Sequence, residues 1–105
     1  MLVLTTCPDL AAAKLLAAEL VERRLAACVN TVGQVSSTYR WEGKVEQAQE
    51  SLLVIKTTEE RFAAIEAVIR ERSSYELPEV LAIAVAAGSS GYLEWLGASV
   101  AGIEE

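Results

Sequence analysis

Two extended arms, Leu25 to Trp41 and Lys44 to Thr57, run into and out of Glu42-Gly43, and nothing else in the chain limits its fold as strongly. Glycine in the second place of a two-residue loop favours a tight hairpin turn. Each arm holds about fifteen residues, so at ~3.3 Å per residue the ribbon can reach about 50 Å. Ordinary strands hold only ~5–6 residues. A chain of 105 residues is a single domain, 1–105, and such a ribbon overshoots any core it can build alone. Gly33-Gln34 interrupts the outgoing arm, as a bulge or bend would.

The rest of the chain fits around this ribbon. Leu2 to Thr6 is a short apolar, β-branched run that reads as a buried strand. From Asp9 to Arg24, Leu10, Ala13, Leu16, Ala17, Leu20 and Val21 recur at helical spacing, with Pro8 and Asp9 suited to the helix start. Thr57 and Glu60 have capping-box spacing. Beyond them Phe62, Ile65, Val68 and Ile69 predict a second helix ending near Arg72. Ser73 to Pro78 is a loop, Val80 to Ala86 a strand, and Gly88 to Gly91 a turn into a last helix with Tyr92, Leu93, Trp95 and Leu96.

The order β-α-β-β-α-β specifies an α+β, ferredoxin-like split βαβ sandwich, with both helices on one face of a four-stranded antiparallel sheet. Its special features are the long hairpin between strands two and three and the extra C-terminal helix. Ala82, Ala84 and Ala86 form a small, flat face, expected on the open side of the sheet and in need of a cover. Oligomerisation follows from that pattern and from the overlong ribbon.

Charge excludes several functions. Nine Lys and Arg against fifteen Asp and Glu leave a net charge of -6. Nucleic acids and anionic membrane surfaces need cationic partners, so neither is expected. Histidine is absent, which removes Ser-His, Cys-His and metal-His chemistry. The first apolar stretch is too short for a signal peptide or a membrane span. A cytoplasmic location with Cys7 and Cys28 reduced is expected.

Several residues could carry chemistry. Cys7 stands where strand meets helix, and a helix N-terminus lowers a thiol's pKa; the alternative is a small residue packed at the strand end. Cys28, in Ala26-Ala27-Cys28-Val29, reads as core. Tyr39 and Trp41 share a face near the hairpin tip, suited either to intersubunit packing or to a ligand-facing wall. Lys56 ends an apolar strand and needs water or a carboxylate; Glu79 is a conceivable partner. With Tyr75 the pair could orient a small ligand, or it could be a structural ion pair.

Leu25-Ala-Ala-Cys-Val-Asn30, Tyr39-Arg-Trp-Glu-Gly-Lys44, Leu53-Val-Ile-Lys-Thr57, Tyr75-Glu-Leu-Pro-Glu79 and Gly91-Tyr-Leu-Glu-Trp95 closely resemble the CutA family of divalent-cation tolerance proteins. The resemblance runs in order over nearly the whole chain. It implies a small cytosolic ferredoxin-like protein, a tight homotrimer formed through the long hairpins, and a role in tolerance of divalent metals. Copper binding is attributed to some members, and no enzymatic activity is implied. Many members carry His-Pro, or a His pair before Pro, where this chain has Arg72-Ser73-Ser74, and copper-binding relatives place a thiol at the position of Thr5. The metal site is therefore not transferred residue by residue. The family's cleft positions do match, at Trp41, Lys56, Tyr75, Pro78 and Glu79.

Two kinds of function are consistent with these residues. One is a non-enzymatic metal-response protein that needs no cofactor and holds copper or another divalent cation weakly, through carboxylates and Cys7. The other is a trimeric signalling or scaffold module that binds a small anion or a protein partner in a cleft between subunits.

Overall fold

The computed structural model describes residues 1–102. Strand β1 spans Leu2–Cys7, helix α1 Leu10–Glu22, β2 Cys28–Trp41, β3 Lys44–Lys56, α2 Phe62–Arg72, β4 Leu81–Ile83 and α3 Ser90–Ser99. The four strands are antiparallel in the order β2-β3-β1-β4. This is the split βαβ arrangement with a long hairpin and a third helix.

Alternation along β1 and β3 sets the two faces. Val3, Thr5 and Cys7 point to the helix side and are buried, as are Ser51, Leu53 and Ile55. Ala13, Leu16 and Leu20 of α1 and Ile65, Val68 and Ile69 of α2 close over them. Asp9 caps α1, its Oδ1 accepting from the Ala12 N–H at 2.8 Å. Pro8 thus precedes the cap. At the other end Arg24 takes φ 58°, and the Leu25 N–H donates back to the Leu20 carbonyl at 2.9 Å. That closure turns the chain sharply and delivers buried Leu25 and Ala26 to the core.

The expected capping box does not form. Thr58 precedes a 3-10 turn, Glu59–Arg61, and makes no side-chain cap. Thr57 is fully buried instead, and its hydroxyl donates to the Leu25 carbonyl at 2.6 Å. The bond ties the end of β3 to the α1–β2 connection. Thr57→Val keeps the volume but leaves that carbonyl unpaired, and should destabilise the fold by roughly 1–2 kcal/mol in urea denaturation. An unchanged midpoint would show that the carbonyl finds water.

The ribbon has the form its sequence predicts, though β4 does not. Glu42 and Gly43 take φ 51° and 82°, the double left-handed geometry of a type I′ turn. The hairpin gives the molecule its longest dimension, 44 Å. Between Val32↔Leu52 and Val35↔Glu50 the register shifts, so Gly33 and Gln34 together oppose Ser51. Gln34 sits at φ 59°, a conformation costing a non-glycine residue about 1–2 kcal/mol. The extra residue inverts the parity of the strand. Cys28, Asn30 and Val32 share the open face before the bulge, and Val35, Ser37, Tyr39 and Trp41 share it after. Strand β4 covers three residues rather than Val80 to Ala86, because only Leu81–Ile83 pair with β1. The register also corrects its faces. Val3 pairs with Ala82, whereas Leu2 and Leu4 pair with Ile83 and Leu81. The open face is therefore lined by Leu81 and Ile83, 56% and 44% exposed, and not by the alanines.

The open sheet face and its capping loop

With neither α1 nor α2 packed over it, the open face collects most of the candidate residues. Leu2, Leu4 and Thr6 come from β1, Leu52, Val54 and Lys56 from β3, and Leu81 and Ile83 from β4. Tyr39, 44% exposed, and half-buried Trp41 lie on the same face past the bulge, opposite Glu46 and Lys44. Cys28 is there too, half-buried opposite Lys56. It is not core, because the strand begins one residue after the buried Leu25-Ala26 pair has turned inward.

Glu50 is the polar centre of this face, and nothing in the sequence singled it out. It lies in the polar run Glu46-Gln47-Ala48-Gln49-Glu50, where no periodicity marks one residue from the next. Burial works to raise its pKa, but the surrounding hydroxyls of Ser37, Tyr75 and Thr6 outweigh it and hold the carboxyl below the usual carboxylate range. The Tyr75 hydroxyl donates to Glu50 Oε2 at 2.7 Å. Tyr75 itself is held by its own N–H, which donates to the Ser73 hydroxyl at 3.0 Å. Desolvation, the bond to Glu50 and the charge on Glu50 push the Tyr75 hydroxyl far above its ordinary pKa, with smaller contributions from Cys7 and Tyr39. Tyr75 therefore stays a neutral donor, and the loop after α2 is pinned to the sheet. Beside Glu50, Asp9, Gln34, Gln49 and Ser51 line a hollow of about 200 Å³.

Two expected roles need correction. Cys7 belongs to β1 and is buried on the helix side. Burial raises its thiol pKa, and the charges of Asp9 and Glu50 raise it further, so the activation expected from the helix N-terminus is overturned. The pairing of Lys56 with Glu79 is not formed. Lys56 makes no ion pair among the described residues, and its Nζ lies 5.9 Å from the centroid of the Tyr92 ring, within reach of a cation–π attraction. Tyr92 in turn stacks obliquely on Trp95, 5.3 Å between centroids. Pro78 is half-buried and Glu79 exposed on the segment leading to β4. Thus Tyr75 joins Glu50, while Lys56 joins Tyr92 at the other end of the sheet. Among the described residues no three Cys, Asp or Glu converge in a way that could hold a metal ion.

No helix among the described residues is long and apolar enough to cross a membrane. Residues 1–99 match the family described as CutA1 divalent ion tolerance protein. The chain is 44% identical over 94 residues to the divalent-cation tolerance protein CutA of Thermus thermophilus, covering 90% of this chain and 91% of that one. It is 44% identical over 92 residues to a CutA homolog of Xenopus laevis, covering 88% of this chain but only 61% of the longer protein. The crystal structure of CutA1 from Oryza sativa superposes with a TM-score of 0.92 at 40% identity, over 96% of this chain and 93% of that one. A structure from Archaeoglobus fulgidus superposes at 0.91 with 35% identity, over 94% of this chain and 96% of that one, and is titled a periplasmic divalent cation tolerance protein CutA. Matched from end to end of its sheet and through all three helices, the chain belongs to the CutA1 divalent ion tolerance protein family.

Proposed function

We propose that the chain serves divalent-cation tolerance as a cytoplasmic homotrimer, without catalysis, and that it holds divalent cations weakly through carboxylates. The apolar open face carries this reading: Leu2, Leu4, Val54, Leu81 and Ile83 lie side by side with neither α1 nor α2 over them. A patch of that kind on a working protein is covered by a partner, and a second and third copy supply the same face. The long ribbon, with Val35, Tyr39 and Trp41 on that face beyond the protomer's own core, gives each copy a strand edge to extend over its neighbour. Unpaired Cys7 and Cys28 suit a reducing compartment.

The donor set explains why binding would be weak. Without histidine, and with the Cys7 thiol buried and protonated, the donors are carboxylate, amide and hydroxyl oxygens. These are hard ligands, and copper would lead the other first-row ions only by the general affinity order. A net charge of -6 per copy gathers cations at the surface, with screening over ~8 Å at physiological salt. Equilibrium dialysis against Mn²⁺, Zn²⁺ and Cu²⁺ should show weak, salt-sensitive binding that Cys7→Ser leaves unchanged. A tight, stoichiometric copper ion retained through dialysis would refute it.

Lys56 favours a second reading. A cation on the open face with no carboxylate partner among the described residues could receive a small anion between subunits of a signalling or scaffold trimer. Calorimetric titration with nucleotides and inorganic phosphate separates the two. Saturable anion binding that Lys56→Ala removes would replace the metal reading.

A further inference from the structure

The helix side of the sheet, opposite the proposed subunit interface, carries a cleft of its own. Where β1 ends, α1 and the last turn of α2 diverge and leave a cleft of about 550 Å³, within the ~300–1,000 Å³ range of small-molecule sites. Thr5, a residue 1% exposed, is among its lining residues, and the Thr5 hydroxyl is the one buried side-chain polar atom among the described residues without a hydrogen-bond partner. Buried hydroxyls are almost always paired. The walls are apolar, formed by Ala12, Leu16 and Ile69, and Leu15 at the mouth is 75% exposed.

Charge at the rim is unequal. Arg72 donates two bonds of 2.9 Å to Glu19, which also accepts from Arg23 at 3.0 Å. Glu22 also lines the cleft and has no ion-pair partner among the described residues. The uncommitted groups are thus a buried hydroxyl, an apolar wall, and a carboxylate at the mouth. We propose that this cleft binds a small organic amine, its apolar body along Leu16 and Ile69, its hydrogen-bonding group on Thr5 and its ammonium toward Glu22. Metal binding and trimer formation are not involved, so the proposal stands or falls separately from them.

Three compounds with one carbon skeleton test it against the full chain: 2-amino-1-phenylethanol, neutral 1-phenylethanol and anionic mandelate. In ¹⁵N-edited spectra the amine should shift the Thr6, Cys7 and Ser74 amides saturably. The neutral alcohol should bind about fivefold more weakly, the size of one exposed charge pair, and mandelate more weakly still. Glu22→Gln should bring the amine down to the alcohol's affinity, and Thr5→Val should weaken both. Ser74→Trp, at an exposed position on the rim, should block the cleft while leaving the fold intact. Equal binding of mandelate, binding that survives Ser74→Trp, or no saturable shift would each overturn the proposal. The last outcome would mean that ordered water alone satisfies Thr5.

Discussion

We expect Leu4→Lys to dissociate the proposed homotrimer and, at micromolar concentration, to lower the thermal transition steeply. Leu4 lies in the middle of the open face, between Val54 on one side and Leu81 on the other. In a free protomer it is half-exposed, so a lysine could reach water along its own stem, and the substitution would cost no more than ~0.5 kcal/mol. In a homotrimer closed over this face, each copy would bury an ammonium with no partner, at several kcal/mol apiece. The two arrangements therefore predict effects of very different size. Sedimentation equilibrium of parent and variant distinguishes them, with melting followed in parallel. A parent that sediments as a folded monomer, or a variant that stays trimeric with an unchanged melting point, would remove the basis for the proposed assembly.

Glu50→Ala should destabilise the protein by about 1.5–3 kcal/mol, since it takes the charged acceptor from the Tyr75 hydroxyl. The pH dependence is specific. Because the folded state holds the Glu50 carboxyl below its ordinary value of 4.5, its contribution is complete above that value. It is lost as pH falls through the lower folded pKa. The Tyr75 hydroxyl is displaced upward from 10.0, so its contribution is complete below 10 and fades as pH rises through the higher folded pKa. The stability difference between parent and Glu50→Ala should form a plateau between these limits and fall away on both sides. Tyr75→Phe should lose the alkaline limb and part of the plateau. Chemical denaturation across pH measures this directly, and a difference that does not vary with pH would mean that Glu50 acts only through packing.

What the sequence disclosed depended on how local the determining forces are. The ribbon, its turn and its bulge were legible because Glu42-Gly43 and Gly33-Gln34 act through their own backbone preferences. The two core helices were legible because Leu16, Leu20, Ile65 and Ile69 repeat at helical spacing. Thr57 and Glu60 suggested a cap, but a buried carbonyl 32 residues away at Leu25 was the stronger claim on the hydroxyl. The length of β4 was not local either, since pairing with β1 rather than the Val80–Ala86 pattern decides where the ladder stops. Cleft residues were recognised singly but not in their groupings. Tyr75 meets Glu50 across 25 residues, and Lys56 meets Tyr92 rather than Glu79, contacts that only the sheet order brings together.

The bulge at Gly33-Gln34 has a consequence for how such ribbons can vary. Along a strand, inside and outside alternate like a wave of period two, and the additional residue opposite Ser51 advances that wave by half a cycle. Losing one of the two residues, while the turn stays fixed, would leave one residue opposite Ser51, restore regular alternation and keep Tyr39 and Trp41 opposite Glu46 and Lys44 on their present face. Losing both would bring Val32 opposite Ser51, a slip of one place that turns Cys28, Asn30 and Val32 to the other side of the sheet. Lengthening is tolerated only when both arms grow together beyond the bulge, so the distance of the tip can drift over evolution while the pairs on either side of Ser51 cannot.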